Sequence, residues 1–181
     1  MPPEANPELM TARRRWFERQ FQLGISAVAM PDIIERVRGT PARLEERLRG
    51  LPPSTLVRRE GDAWSIQQNA GHLLDLEELW ELRLDELLAG ANTLRAADLQ
   101  NRKTDEANHN ARNLADLLAE FRAARLRVVG RLERLSDAQL RNQALHPRLQ
   151  QPMSIVDLYF FVAEHDDHHL ARIAELIQTS E

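Results

Sequence analysis

The sequence predicts an all-α protein that folds as a four-helix bundle. Of its 181 residues, 43% are hydrophobic but only 5% are aromatic, and abundant Leu, Ala, Arg and Glu favour helix over sheet. Apolar residues recur at intervals of three and four along four long segments, whose ends carry capping residues, Gly or Pro. No segment shows the convincing alternation of a β-strand. A chain of this length suits a single domain, residues 1–181.

The chain begins with a segment that is additional to the bundle. Residues 1–7 are rich in proline and are expected to form a loose arm. Residues 8–30 are expected to form an N-terminal extension. Within it, the segment from Glu8 to about Leu23 predicts an extra helix, because three aromatic residues make a short apolar edge among charged ones.

The first helix of the bundle is predicted to begin at Pro31, a residue suited to the first turn of a helix. Gly39 is a stop signal, Thr40 is a capping residue and Gly50 is a second stop signal. These signals fit either one kinked helix or two short helices. Residues 51–63 contain Pro-Pro and Gly-Asp pairs and are expected to form a loop.

The second helix is predicted from Ser65 to Gly90. Ser65 and Gln68 have the spacing of a capping box, and an apolar stripe follows them. His72 lies at the edge of this stripe, where its side chain can lean inward. Residues 90–110 are polar and irregular, and connections of this length are often functional or cross a bundle from end to end.

The third helix is predicted from Ala111 to Leu135. Ser136 and Gln139 repeat the capping-box spacing and predict a short helical turn. A loop punctuated by prolines follows and leads to the last helix.

The last helix, from Ser154 to Leu176, carries two histidines in its core-facing stripe. The stripe comprises Ile155, Leu158, Val162, His165, His169, Ile173 and Leu176. His165 and His169 lie on consecutive turns, where the pattern asks for Leu or Val. A buried imidazole needs partners for its ring nitrogens. Two imidazoles on one stripe therefore suggest a divalent metal site.

A third ligand for such a site is available on another helix. His72, together with the pair of histidines four residues apart, would give a facial set of three nitrogens. Three protein ligands leave a position open for water or substrate, as in catalytic sites. Nitrogen ligands suit Zn²⁺, Ni²⁺, Fe²⁺ or Cu²⁺ better than Mg²⁺ or Ca²⁺. The alternative is that the three histidines are ordinary core residues bonded to protein groups.

Other polar residues lie near the same stripe or in the loops. Asp166 lies close to the inner arc, where it is expected either to orient a ligand imidazole or to pair with an arginine. His168 points about 100° away from the centre of the stripe and is expected at a helix–helix edge or in solvent. His109 and His146 lie in polar loops and are expected to be solvated.

Composition excludes several functional classes. The net charge of −4 gives no electrostatic footprint for nucleic acid. The absence of cysteine excludes disulfides, thiolate metal sites and a cysteine nucleophile. The N-terminus lacks the apolar core of a signal peptide, and no apolar run reaches the ~18 residues of a membrane span. We therefore expect a cytoplasmic protein that binds neither nucleic acid nor membrane.

Three stretches, taken in order, resemble the DinB/YfiT-like superfamily of metal-dependent proteins. They are WSIQQNAGHLLDLEELW, DEANHN in the long connection, and HPRLQQPMSIVDLYFFVAEHDDHHLARI. The most specific pieces are a Trp-Ser helix start with a histidine seven residues after the serine, and the H-x-x-H-H run near the C-terminus. The likeness extends from about Arg43 to Leu176, most of the chain.

The resemblance implies a four-helix bundle with crossover topology, often a homodimer, and a divalent metal, usually zinc or nickel, bound by three histidines. Carried over by position, the ligands are His72, His165 and His169. The implied activity is metal-dependent hydrolysis of a small molecule or S-transfer with a low-molecular-weight thiol, through a metal-activated water or thiol. No residue stands out as a general base. The alternative is a non-catalytic metal-binding protein associated with DNA damage or stress, with a structural or interaction role.

Overall fold

Four long helices and a small β-hairpin form the part of the chain that the computed structural model describes, residues 13–179. In chain order the elements are α1 (Met30–Leu48), α2 (Pro53–Val57), α3 (Ile66–Leu88), α4 (Arg102–Glu106), α5 (Leu114–Leu132), α6 (Asp137–Leu140), β1 (Gln143–His146), β2 (Gln151–Ser154) and α7 (Ile155–Gln178). None of the helices within these residues combines the length and apolar composition needed to cross a bilayer.

The long helices are connected in an order that crosses the bundle. Helix α1 packs against α5 and α7, and α3 packs against the same two helices. Helices α1 and α3 therefore lie diagonally opposite each other, and so do α5 and α7. The connections between α1 and α3 and between α5 and α7 must cross the bundle instead of joining neighbours. This arrangement confirms the predicted four-helix bundle with crossover topology.

Several helix boundaries follow from local sequence, as predicted. Ser65 and Gln68 form the capping box of α3, and Ser136 and Gln139 form that of α6. Helix α1 is a single helix that contains Pro41, so the one-helix alternative is correct. The loop predicted for residues 51–63 contains the short helix α2, which begins at paired prolines suited to a first turn.

The helix predicted from Glu8 to Leu23 is wrong from Arg13 onward, and its first residues lie outside the described part of the chain. Residues 13–29 contain only two single 3₁₀ turns, Trp16–Glu18 and Ala27–Ala29. The segment is held by contacts with α7: the backbone N–H groups of Gly24 and Ile25 donate to Asp157 Oδ1. Trp16 and Phe21 also pack on Phe161 of α7, whereas Phe17 is exposed, so an extended chain covers two of the three aromatic residues that the pattern assigned to a helix.

The expectation of no strand is also wrong. Strands β1 and β2 pair in antiparallel register, with Gln143 opposite Ser154 and His146 opposite Gln151. Each strand has four residues, too few for alternation to be recognised in the sequence. The backbone of Leu145 is also hydrogen-bonded to that of residues 92 and 94, which no local pattern reveals. The hairpin directs His146 into the interior.

The apolar core is divided into two clusters along α7. Val162 belongs to the cluster shared with α1, α3 and α5 near the hairpin, and Ile173 belongs to the cluster at the other end. His165 and His169 lie between these positions on the same stripe, and both are buried. The bundle therefore contains a polar layer between two apolar ends.

Candidate metal centre

The structure brings together the three histidines that the sequence selected. His72 on α3 faces His165 and His169 on α7, and one nitrogen of each lies within 4.8 Å of one nitrogen of the others. The ring centroids are separated by 4.5 to 5.3 Å, and all three residues are buried. The grouping follows from packing α3 against α7.

Hydrogen bonding fixes which nitrogen of His169 is free. Its Nδ1 lies 2.9 Å from Asn69 Oδ1. The Asn69 amide nitrogen donates to the carbonyl oxygens of Ser65 and Trp64, so its oxygen must face the histidine. An oxygen acceptor at this position assigns the hydrogen to Nδ1. The lone pair of His169 is therefore on Nε2.

A chain of hydrogen bonds fixes His72 in the same way. His72 Nδ1 lies 2.9 Å from Thr104 Oγ1, and the Thr104 hydroxyl donates to Asp75 Oδ2 at 2.8 Å. The hydroxyl has one hydrogen, which it gives to the carboxylate, so it accepts from His72. Nε2 of His72 therefore carries the lone pair and is the nitrogen available to bind a metal. Neither Thr104 nor Asp75 was predicted from the sequence.

His109 supports this chain from the loop before α5, and the prediction that it is solvated is wrong. It is 1% exposed, and its Nε2 lies 2.8 Å from Asp75 Oδ2. Burial opposes the charge of Asp75, but hydrogen bonds from His109 and Thr104 lower its pKa overall. A Cβ on Gly71 would lie 2.3 Å from the His109 ring, so glycine is required at this position. A glycine inside a predicted helix, directly before His72, was the one feature of the sequence that indicated close packing of another residue at this position.

The three imidazoles are held neutral. Burial lowers the pKa of His72 to about 4, and it lowers the pKa of His165 and His169 well below the ordinary value. The Nδ1 of His165 is buried without a hydrogen-bond partner among the described residues. A buried nitrogen without a partner is costly unless a ligand uses it or a modest rotation of the ring satisfies it.

The donor set fits a divalent metal. Nitrogens that share a tetrahedral zinc ion at about 2.0–2.1 Å lie about 3.3 Å from one another. The observed limit of 4.8 Å is larger, so the three side chains must rotate closer together to share an ion. Residues His72, His165 and His169 would hold the ion, and two of them already have fixed tautomers.

Asp166 does not contact any of these imidazoles through a hydrogen bond. It pairs with Arg125 and accepts a hydrogen bond from Thr40 Oγ1 at 2.6 Å, so pairing with an arginine is the alternative observed. Arg125 also pairs with Glu77 on α3 at 2.6 Å. Burial opposes the charge of Arg125, but Asp166 and Glu77 together raise its pKa. This buried cluster ties α3, α5, α7 and α1 together beneath the histidines.

Of the two positions expected for His168, a helix–helix edge or solvent, the structure excludes solvent. His168 is 8% exposed, and its ring nitrogens lie 3.0 Å from Arg13 Nη1, whose N–H donates to the ring. Trp16 lies beside both His168 and His165, at centroid distances of 5.7 and 4.9 Å. Arg13 also pairs with Glu175, so this part of the N-terminal segment packs over the histidines.

A cavity of about 480 Å³ opens beside the three histidines, within the size range of small-molecule sites. Its walls include all three tryptophans of the chain, with Trp16, Trp64 and Trp80 accompanied by Phe161. His146 also lines it and is buried, so its predicted exposure to solvent is wrong.

Comparison with known proteins identifies a family and a shared fold. The sequence profile of the DinB superfamily matches residues 36–173. Among solved structures, the chain is similar to YfiT from Bacillus subtilis, which is described as a probable metal-dependent hydrolase with an unusual four-helix bundle topology. The TM-score is 0.78 at 21% sequence identity, over 90% of this chain and 93% of YfiT, which shows a shared fold. No curated protein sequence matches the chain.

Proposed function

This chain belongs to the DinB superfamily, and we propose that it is a metal-dependent enzyme with His72, His165 and His169 as ligands. The observation that carries the proposal is the arrangement of the imidazoles. Two have their Nδ1 hydrogens committed to protein oxygens, and all three face a cavity large enough for a small molecule. The description of YfiT as a probable metal-dependent hydrolase supports the same class of activity.

We propose zinc or nickel as the metal, because three neutral nitrogen donors suit these ions. The ion would lower the pKa of a coordinated water or thiol toward neutrality and so supply the nucleophile. The protein supplies the remaining functions. Asn69 and Thr104 hold two ligands in the required tautomer, and the aromatic walls exclude water from the reacting groups.

The residues around the cavity favour a thiol over water as the nucleophile. Of the residues in 13–179 that line the cavity, Asp98 is the sole carboxylate, and Arg102 pairs with it at 3.0 Å. A thiol has an ordinary pKa of about 8.5 and bulk water about 15.7, so a thiol requires less assistance from a base. Because the chain has no cysteine, the thiol must be an external, low-molecular-weight one. Hydrolysis is the second candidate, favoured by the description of YfiT.

A metal site without catalysis is the alternative. Closed structural zinc sites have four protein ligands and no adjoining space. Here three histidines adjoin a cavity of about 480 Å³, which favours the enzyme.

The metal role is tested on protein purified without a nickel column. We expect about one zinc or nickel ion per chain by mass spectrometry, and loss of that ion in His169→Ala. His168→Asn is the matched control on the same helix, because the ring of His168 already accepts from Arg13. Unchanged metal content in His169→Ala would contradict the ligand assignment.

Catalysis is tested on the metal-loaded protein. We expect thiol-dependent consumption of an electrophile such as monobromobimane with one of a panel of low-molecular-weight thiols, and loss of that activity after chelation. Ester hydrolysis without thiol would support the second candidate. A metal-loaded protein that is inactive with both panels, but less stable after chelation, would favour the non-catalytic alternative.

A further inference from the structure

We propose that Arg83, His146 and Arg148 form an anion-binding subsite at the wall of the same cavity. The subsite binds the carboxylate or phosphate group of a small-molecule substrate whose remaining part is apolar. Only the identification of the ligand as a substrate rests on the proposed function. Binding of the anion itself does not require a metal. The evidence is a group of buried hydrogen-bond donors that lack an acceptor.

Arg83 is a buried guanidinium without a carboxylate partner. It is 1% exposed, and within residues 13–179 no Asp or Glu lies within ion-pair distance of it. Its Nε and Nη2 donate to the carbonyl oxygen of Arg95, at 3.2 and 2.9 Å. Its Nη1 instead lies 3.2 Å from His146 Nε2. The nearby carboxylate, Glu86, attracts Arg83 but pairs with Arg95 instead. A buried cation whose own hydrogen bonds go to a carbonyl group and not to a carboxylate is costly, which favours a negatively charged ligand at this position.

His146 presents a donor to the same point. Its Nδ1 accepts from the backbone N–H groups of Arg148 and Leu149, at 3.2 and 3.1 Å. A neutral imidazole that accepts at Nδ1 carries its hydrogen on Nε2. Nε2–H of His146 and Nη1–H of Arg83 therefore face each other, although both groups are hydrogen-bond donors. An acceptor placed between them and the cavity would resolve this conflict.

Arg148 adds a third donor. Its Nη2 is buried with no hydrogen-bond partner in the described part of the chain. The guanidinium lies over the rings of Phe17 and Phe161, at 5.4 and 5.9 Å from their centroids, which restricts its orientation. Burial lowers the pKa of Arg148, as expected for a cation that has lost water without gaining a counterion. A planar fork of donors suits a carboxylate or a phosphate.

The position of the subsite defines the substrate class. Arg83, His146 and Arg148 line the cavity that also contains the three metal-ligand histidines, and Trp80 and Phe161 form the wall between them. A ligand that spans the cavity would place an anionic group on the arginines, an apolar or aromatic body on the walls, and its other end beside the metal. A volume of about 480 Å³ restricts it to a small molecule.

Tryptophan fluorescence tests the subsite, because all three tryptophans line the cavity. The probes are 3-phenylpropionate, phenyl phosphate and the neutral 3-phenylpropionamide, each titrated into zinc-loaded and metal-free protein. We expect at least one anion to bind more than tenfold tighter than the amide in both forms of the protein. The anion that binds tighter identifies the group as carboxylate or phosphate. Neither anion binding tighter than the amide would overturn the proposal.

Arg148→Gln is expected to weaken binding of the anion by about tenfold to a hundredfold, the cost of losing a charge-assisted hydrogen bond. The control is Arg172→Gln, which removes a cavity charge that already pairs with Glu60 and Glu175. We expect less than a threefold change in this control. Equal weakening in both variants would indicate general electrostatics and overturn the subsite. Arg148→Lys, which retains charge but not the fork, replaces Arg148→Gln if that variant does not fold.

The same titrations separate this proposal from the proposed function. Anion binding only to zinc-loaded protein, unaffected by Arg148→Gln, would mean that the anion binds the metal, and the subsite would be wrong while the metal site stands. Anion binding that depends on Arg148 in a protein that takes up no metal would support the subsite and contradict the proposed function.

Discussion

Replacing Thr104 by valine is expected to weaken metal binding although no proposed ligand is altered. The Thr104 hydroxyl accepts from His72 Nδ1 and donates to Asp75, which assigns the lone pair of His72 to Nε2. Valine has nearly the shape of threonine but cannot accept a hydrogen bond. In the variant, His72 is free to take the other tautomer or to rotate in the metal-free state, and metal binding must reverse that change.

The size of the effect follows from the surroundings of Thr104. The residue is 2% exposed, so water does not readily replace the hydroxyl, and a buried N–H without an acceptor costs about 1–3 kcal/mol. Asp75 retains the hydrogen bond from His109, so its carboxylate is not left alone. Loss of such supporting contacts typically weakens metal binding by about 10–100-fold, or about 1.4–2.7 kcal/mol.

The assay is a zinc titration of metal-free protein in competition with a chromogenic chelator. Thr104→Ser, which keeps the hydroxyl, is the matched control and is expected to bind zinc within about threefold of the parent chain. Urea unfolding of the metal-free variants measures any separate loss of stability. Equal zinc affinity for the parent chain and Thr104→Val would refute the role assigned to this hydrogen-bond chain.

Three further predictions concern stability of the metal-free protein, measured by urea unfolding. Gly71→Ala is expected to cost about 1–3 kcal/mol because the new Cβ displaces the His109 ring. Gly39→Ala is the control: its new Cβ would lie 4.0 Å from the nearest side-chain atom, and the substitution is expected to stabilise the helix by about 0.5–1 kcal/mol. Equal effects of the two substitutions would contradict the packing described. Arg125→Met leaves two buried carboxylates without their cation and is expected to cost about 3–5 kcal/mol; a neutral effect would show that the ion cluster contributes nothing to folding. Folding lowers the pKa of His72 from 6.5 to about 4, so the unfolded chain binds a proton at His72 more readily than the folded chain does. The contribution of the neutral His72 to the free energy of unfolding is therefore complete above about pH 6.5 and is lost as pH falls toward 4. We expect the free energy of unfolding to fall by about 2 kcal/mol between pH 7 and pH 5 from this residue. Stability that does not fall over this range would contradict the burial of a neutral His72.

The sequence predicted those features of the fold that depend on neighbouring residues. The capping boxes at Ser65 and Ser136 are local, and both begin helices as predicted. The extra N-terminal helix failed because an aromatic residue can pack on the bundle from an extended chain as well as from a helix, and Trp16 packs edge-on against Phe161 of α7. The hairpin formed by Gln143–His146 and Gln151–Ser154 was missed because each strand has only four residues, and because the added pairing of Leu145 with residues 92 and 94 is remote in sequence.

The candidate site was predictable to the extent that it lies on helical stripes. His165 and His169 stood out because they replace aliphatic residues on a core-facing stripe, and His72 because it lies at the edge of another. Two of the supporting residues, Thr104 and His109, come from the connection between α3 and α5, and hydrophobic periodicity does not predict the path of such a connection. Thr104 and His109 are both buried and are linked to the site by hydrogen bonds with Asp75, which only the three-dimensional structure shows.

The central claim is that the three imidazoles share one ion through nitrogens that the surrounding protein has left free. A crystal structure of the zinc-loaded protein, with data collected across the zinc absorption edge, tests this directly. We predict one anomalous peak at about 2.0–2.1 Å from Nε2 of both His72 and His169 and from one nitrogen of His165. A peak elsewhere, bonds through Nδ1 of His72 or His169, or no peak in zinc-saturated crystals would contradict the account.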